Sequence, residues 1–256
     1  MGINSLKSVS EKRWEIAQNS EKDFWEGFTT DSLKKDCNNF YSVRAYKFQG
    51  LWKRYIVLND KTKILQIGCG PLDVINYVGG GKKFAVDPLA DYYKKKFGMD
   101  YSKVKFVKGV GENLPFKDEE FDIILLLNVL DHVQSAEKVL VECKRVLKKD
   151  GIFHFENNVY TKRFFLLANI WDFIQKDFFN KVFNVNHPYM FKKNDMRNFI
   201  SQYFKIYFEY TGERIGEETL KEQRKKIPAK RRFRRAILSW LVGGLEKNYM
   251  CVAKKN

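Results

Sequence analysis

Residues 64–74 read ILQIGCGPLDV: an apolar run that enters a glycine turn at Gly68 and Gly70. A second apolar run ends at Asp87, 19 residues after Gly68. Strand, glycine turn and then an acid about 20 residues on is the spacing a nucleotide-like cofactor needs. Glycines remove the Cβ atoms that would stop the main chain bending sharply and touching a ligand. A carboxylate at the tip of the neighbouring strand can accept hydrogen bonds from both ribose hydroxyls. The pattern points to an adenosine compound.

The position where a dinucleotide-binding turn carries its third glycine, against the pyrophosphate, is Asp73 here. A carboxylate there repels phosphate. S-adenosylmethionine has no phosphate and needs only the tight turn and the ribose acceptor, so it is the cofactor the residues favour.

Further on, VKFVKGVGENLPFKDEEFDIILLLNVLDHV occupies residues 104–133 and VLKKDG residues 146–151. Together with the first two motifs, these segments resemble class I S-adenosylmethionine-dependent methyltransferases of the small-molecule, type 11-like kind. The resemblance covers roughly residues 60–158, with a looser echo in HPYMFKKNDMRNFI at 187–200. It implies the family's fold, cofactor and reaction type but not the substrate, because one fold serves many acceptors. Matched to the family's motifs, Gly68 and Gly70 shape the turn against the methionine part of the cofactor, and Asp87 holds the ribose. Gly111 and Glu112 lie near the adenine and Asn128 near the methionine moiety. The lesser alternative for Glu112 is a solvated loop carboxylate, and Asn128 reads equally as a turn residue bonding its own backbone. Two departures stand out: Gln66 and Val110 occupy positions where many relatives are acidic. They leave room for a cofactor-binding but inactive interaction protein, docked through its basic insert to a membrane or RNA.

Transfer of a sulfonium methyl mainly requires the acceptor held in line and away from water. A hydroxyl or amine acceptor also needs a base. His132 is the candidate, its alternative being a histidine that caps the next helix. His187 and Glu156 are weaker candidates.

The chain of 256 residues is 44% hydrophobic, enough for one elaborated core. Strands are expected near 63–67, 83–87, 104–107, 122–127 and 151–156, with a helix after each. The run DIILLL is apolar at every position, as a strand buried on both faces requires. The expected fold is α/β: a doubly wound, Rossmann-like, seven-stranded, mainly parallel sheet with helices on both faces. By family analogy it ends in an antiparallel pair at 204–210 and 249–254. Residues 1–58, helical and aromatic from 11 onward, form an expected cap over the cofactor cleft. Residues 59–256 form the catalytic domain, with a lid-like aromatic insertion at 160–190 and a basic insertion at 211–248.

The run KEQRKKIPAKRRFRR at 221–235 holds nine Lys or Arg against one Glu, a net +8 and half the chain's formal +16. It leads into AILSWLVGGL at 236–245, whose apolar residues recur at helical spacing. A basic approach to an amphipathic helix suits an anionic membrane surface; a solvated loop and a packed helix fit the pattern equally. RNA is the less favoured partner for this charge, since NVLD at 128–131 lacks the NPPY-type signature of base-modifying enzymes. Cys37, Cys69, Cys143 and Cys251 form no CxxC pair, so no metal site is expected and reduced thiols are. With no signal-like or membrane-spanning run, the expectation is a cytoplasmic protein, at most peripheral on the inner face of the membrane. The expected acceptor is a small or lipid-linked molecule methylated on oxygen, such as a sugar, glycolipid or quinone-like compound. The sequence leaves the oligomeric state open.

Overall fold

In the computed structural model, residues 8–98, 102–161, 189–218 and 246–256 are described, without the side chains of 32, 34–37 and 246. Two helices lead, α1 (Glu11–Glu26) and α2 (Thr30–Trp52), and the sheet follows. Its strands are β1 (Lys63–Ile67), β2 (Lys82–Asp87), β3 (Lys105–Lys108), β4 (Phe121–Leu127), β5 (Leu147–Tyr160), β6 (Phe204–Gly212) and β7 (Glu246–Lys255). Among the described residues they make one seven-stranded sheet, ordered β3-β2-β1-β4-β5-β7-β6. β1 to β5 pair in parallel, and β7 runs antiparallel between β5 and β6. The helices α3 (Ala90–Phe97), α4 (Ala136–Val146) and α5 (Lys193–Ser201) complete the described elements.

β4 explains its own composition. Ile124 and Leu126 join one core cluster, with α4 and α5, while Ile123, Leu125 and Leu127 join a second, with Ala45, Phe48 and Trp52 of α2. Successive strand residues point to opposite faces, and both faces are covered from Ile123 to Leu127, so no position there is free to be polar, whereas Asp122 at the strand's start is partly exposed and accepts from Lys63 N. His154 on β5 pays into this packing with a hydrogen bond: Trp52 Nε1 donates to its Nδ1 at 2.7 Å.

The expected helix after every strand is corrected at two places. After β1 the chain makes only a single 3-10 turn, Val74–Asn76. Asp73 caps it, accepting from Val74 N while its own N–H donates to Asn76 Oδ1, and Gly80 and Gly81 then take φ values of +71° and +72°. Pro71 before the turn and left-handed glycines after it leave no room for a longer helix. After β3, residues 109–120 are a loop with one isolated bridge, Val110 to Asn113. Gly109, Gly111 and Pro115 disfavour a helix there.

The aromatic segment 162–188 and the segment 219–245 lie outside the described residues, and with them His187 and the basic run 221–235. Among the described residues, no helix is long and apolar enough to cross a membrane.

Candidate active site

A cleft of about 280 Å³ opens at the carboxyl ends of β1, β2, β3 and β4. This is where the order of an open parallel sheet reverses, between β2 and β4 on either side of β1, and where ligands enter such folds. α1 and α2 form its outer wall through Trp14, Trp25, Tyr41 and Arg44.

The glycine turn is backbone architecture. Gly68 sits at φ +64°, and a Cβ on it would meet Val129 Cγ2 at 2.4 Å. Its N–H donates to Val86 O at 2.7 Å, which ties β1 to β2 at the mouth of the cleft. Gly70, at φ +57°, donates its N–H to Asp87 Oδ2 at 2.9 Å, and Leu89 N donates to Asp87 Oδ1 at 2.9 Å. An ionised carboxylate has about four lone-pair sites. Two are used here, so Asp87 keeps capacity for two more donors. Burial raises its pKa to about 6 against the lowering effect of the two backbone hydrogen bonds.

Gln66 and Asp73 act together. Gln66 Nε2 donates to Asp73 Oδ2 at 2.7 Å, and Gln66 Oε1 accepts from Ile75 N at 3.0 Å. The amide is therefore spent on holding the Asp73 carboxylate at the edge of the cleft. Burial pushes that carboxylate up to about 6 despite the nearby Arg44 charge.

Gly111 lines the cleft, and a Cβ there would crowd Ile67 and Val139 at 3.2 Å. Glu112 lines it as well, but its Oε1 accepts from Gln134 N at 2.7 Å and Ser135 N at 3.1 Å. It ties the loop after β3 to the start of α4, and so is not the solvated loop carboxylate considered above. Asn128 takes a left-handed φ of +54°, and its N–H donates to Glu156 O at 2.7 Å. Asn128 lines the cleft, and its Oδ1 is shielded from solvent with no hydrogen-bond partner among the described residues.

His132 also lines the cleft, with 24% of its side chain exposed and Nε2 3.9 Å from Asp131 Oδ1. It does not cap α4; Ser135 does, its Oγ accepting from Lys138 N.

Glu156 is corrected as a base candidate. It is fully buried, and Arg44 grips it with both terminal nitrogens, Nη2 to Oε2 at 2.6 Å and Nη1 to Oε1 at 3.2 Å. Asn248 Nδ2 donates to Oε1 as well. Burial alone raises such a carboxyl, but the Arg44 and Arg214 charges and the Arg44 hydrogen bonds outweigh it and leave the pKa below the usual carboxylate range. A carboxylate so held is a poor proton acceptor.

Arg44 and Arg214, which line the cleft, had no role in the sequence reading. For Arg44 a signal existed. It falls within the apolar stripe of α2, between Phe40 and Phe48, and its guanidinium lies 5.0 Å from each ring centroid. An arginine on the buried stripe of a helix requires an internal acid.

The family model described as "Methyltransferase domain" matches residues 65–155, which carry the glycine turn, Asp87, Asn128 and His132. The chain carries a methyltransferase domain at residues 65–155. An uncharacterized methyltransferase of Bacillus subtilis, YcgJ, is 44% identical over 93 residues, 30% of this chain and 37% of that protein. A sterol 24-C-methyltransferase of Clavispora lusitaniae is 24% identical over 206 residues, 64% of this chain and 55% of that protein. The chain thus spans well under two thirds of the length of both. The fold of geranyl diphosphate C-methyltransferase from Streptomyces coelicolor A3(2) superposes with a TM-score of 0.57 at 10% identity, covering 83% of this chain and 79% of that one.

S-adenosylmethionine is the cofactor this domain class implies, and the residues fit it. Gly68 and Gly70 leave a cradle a Cβ would fill, Asp87 retains acceptor capacity for a ribose diol, and Asn128 offers an unpaired oxygen. Val110 offers the adenine no side-chain acceptor, so backbone and apolar contact remain for that ring. Among the described residues, no group of His, Cys, Asp or Glu is placed to hold a metal ion.

Proposed function

We propose that this chain methylates an oxygen atom of a small or lipid-linked acceptor, such as a sugar, glycolipid or quinone-like molecule. The observation that carries the reading is the shared cleft: the bent turn, the spare acceptor capacity of Asp87 and the side chain of His132 all face one volume. S-adenosylmethionine, when bound, supplies an electrophilic methyl on a sulfonium. Gly68, Gly70 and Asp87 hold it, with Gly111 flanking the adenine, Glu112 fixing that loop, and Asn128 facing the methionine moiety. Trp14 and Trp25 of the helical wall keep water from the cleft, which protects an in-line geometry. His132 takes the acceptor's hydroxyl proton.

His132→Ala should leave the affinity for S-adenosylhomocysteine unchanged and cut turnover about 10² to 10⁴-fold. Turnover is followed with labelled cofactor against pools of candidate acceptors. Unchanged turnover removes His132 from the mechanism. If calorimetry gives no heat with either cofactor form and the melting curve does not move, the methyl-transfer reading itself fails. Cofactor binding with no transfer to any pool favours an inactive interaction protein.

A lipid-linked acceptor at the inner face of a membrane draws support from the sterol relatives' names and from the net +8 of residues 221–235. The chain should sediment with vesicles containing anionic lipid but not with neutral ones. Sedimentation indifferent to lipid charge, or to deletion of 221–245, rejects this localisation.

A further inference from the structure

Beyond the glycine turn, Arg44 and Arg214 line the same cleft, and behind them lies a buried polar cluster at the ends of β5, β6 and β7. Its centre is Glu156, whose two oxygens are taken by Arg44 and Asn248. Arg214, just after β6, is left outside that grip, with Nε 3.7 Å from Glu156 Oε1, beyond hydrogen-bond reach. Asp73, the other acid near this cluster, acts on Arg44 and is held by Gln66 and Val74 N. Among the described residues, the Arg214 side chain makes one hydrogen bond, from Nη2 to Asn158 Oδ1 at 2.9 Å. A guanidinium has five N–H donors in a fixed fork, so most of those on Arg214 are unspent while it lines the cleft with 27% of its side chain exposed.

The surroundings are polar and incompletely satisfied. Arg44 Nε and Arg214 Nε are donors buried without a partner among the described residues, the first in a side chain only 2% exposed. Orphaned buried groups are costly and rare unless a ligand or water completes them. The cluster also adjoins the end of β4, since Asn128 N donates to Glu156 O.

We propose that Arg214 is the acceptor-recognition residue and that it takes an oxyanion, a carboxylate or phosphate carried by the methyl acceptor. This rests on the methyl-transfer reading above. Arg44 and Asn158 act as positioning residues. Arg44 takes the hydrogen bonds of Glu156, so that Arg214 keeps an ion pair with that carboxylate but spends no N–H donor on it, and Asn158 fixes one corner of the fork. A planar guanidinium held at one nitrogen presents its remaining edge for two parallel hydrogen bonds to such a group.

The test uses the full chain saturated with S-adenosylhomocysteine and titrated with inorganic phosphate, with acetate, and with phosphatidylcholine vesicles with and without phosphatidic acid. At least one oxyanion probe should bind the wild type, Arg214→Gln should weaken that binding at least tenfold, and Arg214→Lys should restore part of it. Affinity for S-adenosylhomocysteine should stay within twofold in both variants. Loss confined to the free ions assigns a soluble acceptor, and loss confined to the phosphatidic acid vesicles assigns a lipid headgroup. Oxyanion binding that is absent from the wild type, or equal in wild type and Arg214→Gln, overturns the proposal. So does a tenfold loss of S-adenosylhomocysteine affinity in Arg214→Gln with its melting temperature unchanged, which would put the guanidinium on the cofactor. If the wild type binds no S-adenosylhomocysteine, it is the methyl-transfer reading that has failed.

Discussion

The two walls of the cleft are built from different materials. The wall at β1 and β2 is main chain: Gly68 and Gly70 in left-handed conformations, with one carboxylate, Asp87, accepting from two backbone N–H groups. The wall at β5 and β7 is side chain: Arg44 and Arg214 line it, backed by Glu156 and Asn248 in one buried cluster. The first wall is made by a segment whose residues are close in sequence. The second brings Arg44 to Glu156 across 112 positions and Asn248 to Glu156 across 92. A main-chain cradle tolerates change in its neighbours but not in its glycines; a buried ion cluster fails when any one charge is removed.

The largest expected effect strikes the second wall. Arg44→Met leaves Glu156 buried with Arg214 3.7 Å away and only Asn248 in hydrogen-bond contact. Removing one member of a buried pair costs about 3 to 5 kcal/mol when the survivor is left uncompensated, and the remaining Arg214 ion pair holds the loss toward the lower end of that range. Urea denaturation should show a loss in that range. Adding Glu156→Gln to Arg44→Met should recover most of it, since a neutral amide no longer needs the cation. If the double variant is as unstable as the single one, packing of the Arg44 stem against Phe40 and Phe48 outweighs the charge, and the contrast between the walls narrows.

A smaller effect is expected at the first wall. Gly68→Ala combines a left-handed conformation with a Cβ 2.4 Å from Val129 Cγ2. Strain of about 1 to 2 kcal/mol and overpacking of similar size give a cost of about 2 to 4 kcal/mol. Affinity for S-adenosylhomocysteine should fall more than tenfold. Gly98→Ala is the control: its φ is +51°, but an added Cβ meets nothing within 4 Å. It should cost only about 1 kcal/mol and leave cofactor binding alone. Equal affinity losses in both variants would mean that Gly68 acts through general stability and not through the cradle.

The same contrast decides what the sequence could reveal. The unbroken apolar run of β4, the turn at Gly68 and the acid at Asp87 are local patterns, each written within a few residues, and they were legible. The missing helix after β1 was less so. The expectation followed the usual strand-to-helix alternation, whereas Pro71, the Asp73 cap and the left-handed Gly80 and Gly81 stop the chain after one 3-10 turn. Glu156 looked like a free carboxylate at a strand end because its partners lie on α2 and β7, and no local pattern announces a contact across a hundred residues. The Phe40, Arg44, Phe48 spacing carried half of that information: it indicates a buried cation without saying which acid receives it.

The smallest effect is a pH dependence peculiar to the first wall. Burial raises Asp87 to about 6 in the cofactor-free protein, against the lowering pull of Leu89 N and Gly70 N. The ionised form is the one that accepts from ribose hydroxyls, so cofactor affinity is full above pH 7 and weakens as the pH falls through 6. With a pKa near 6, one proton competing for the carboxylate makes binding about tenfold weaker at pH 5 than at pH 8. Calorimetric titration with S-adenosylhomocysteine at several pH values measures it. Asp87→Asn should bind weakly at every pH and flatten the profile. Asp73, also raised to about 6, provides the check from the boundary between the walls. Asp73→Asn should retain the tenfold fall if Asp87 is its source, and a profile that flattens only in Asp73→Asn would move the titrating grip on the cofactor from the end of β2 to the Gln66–Asp73 pair.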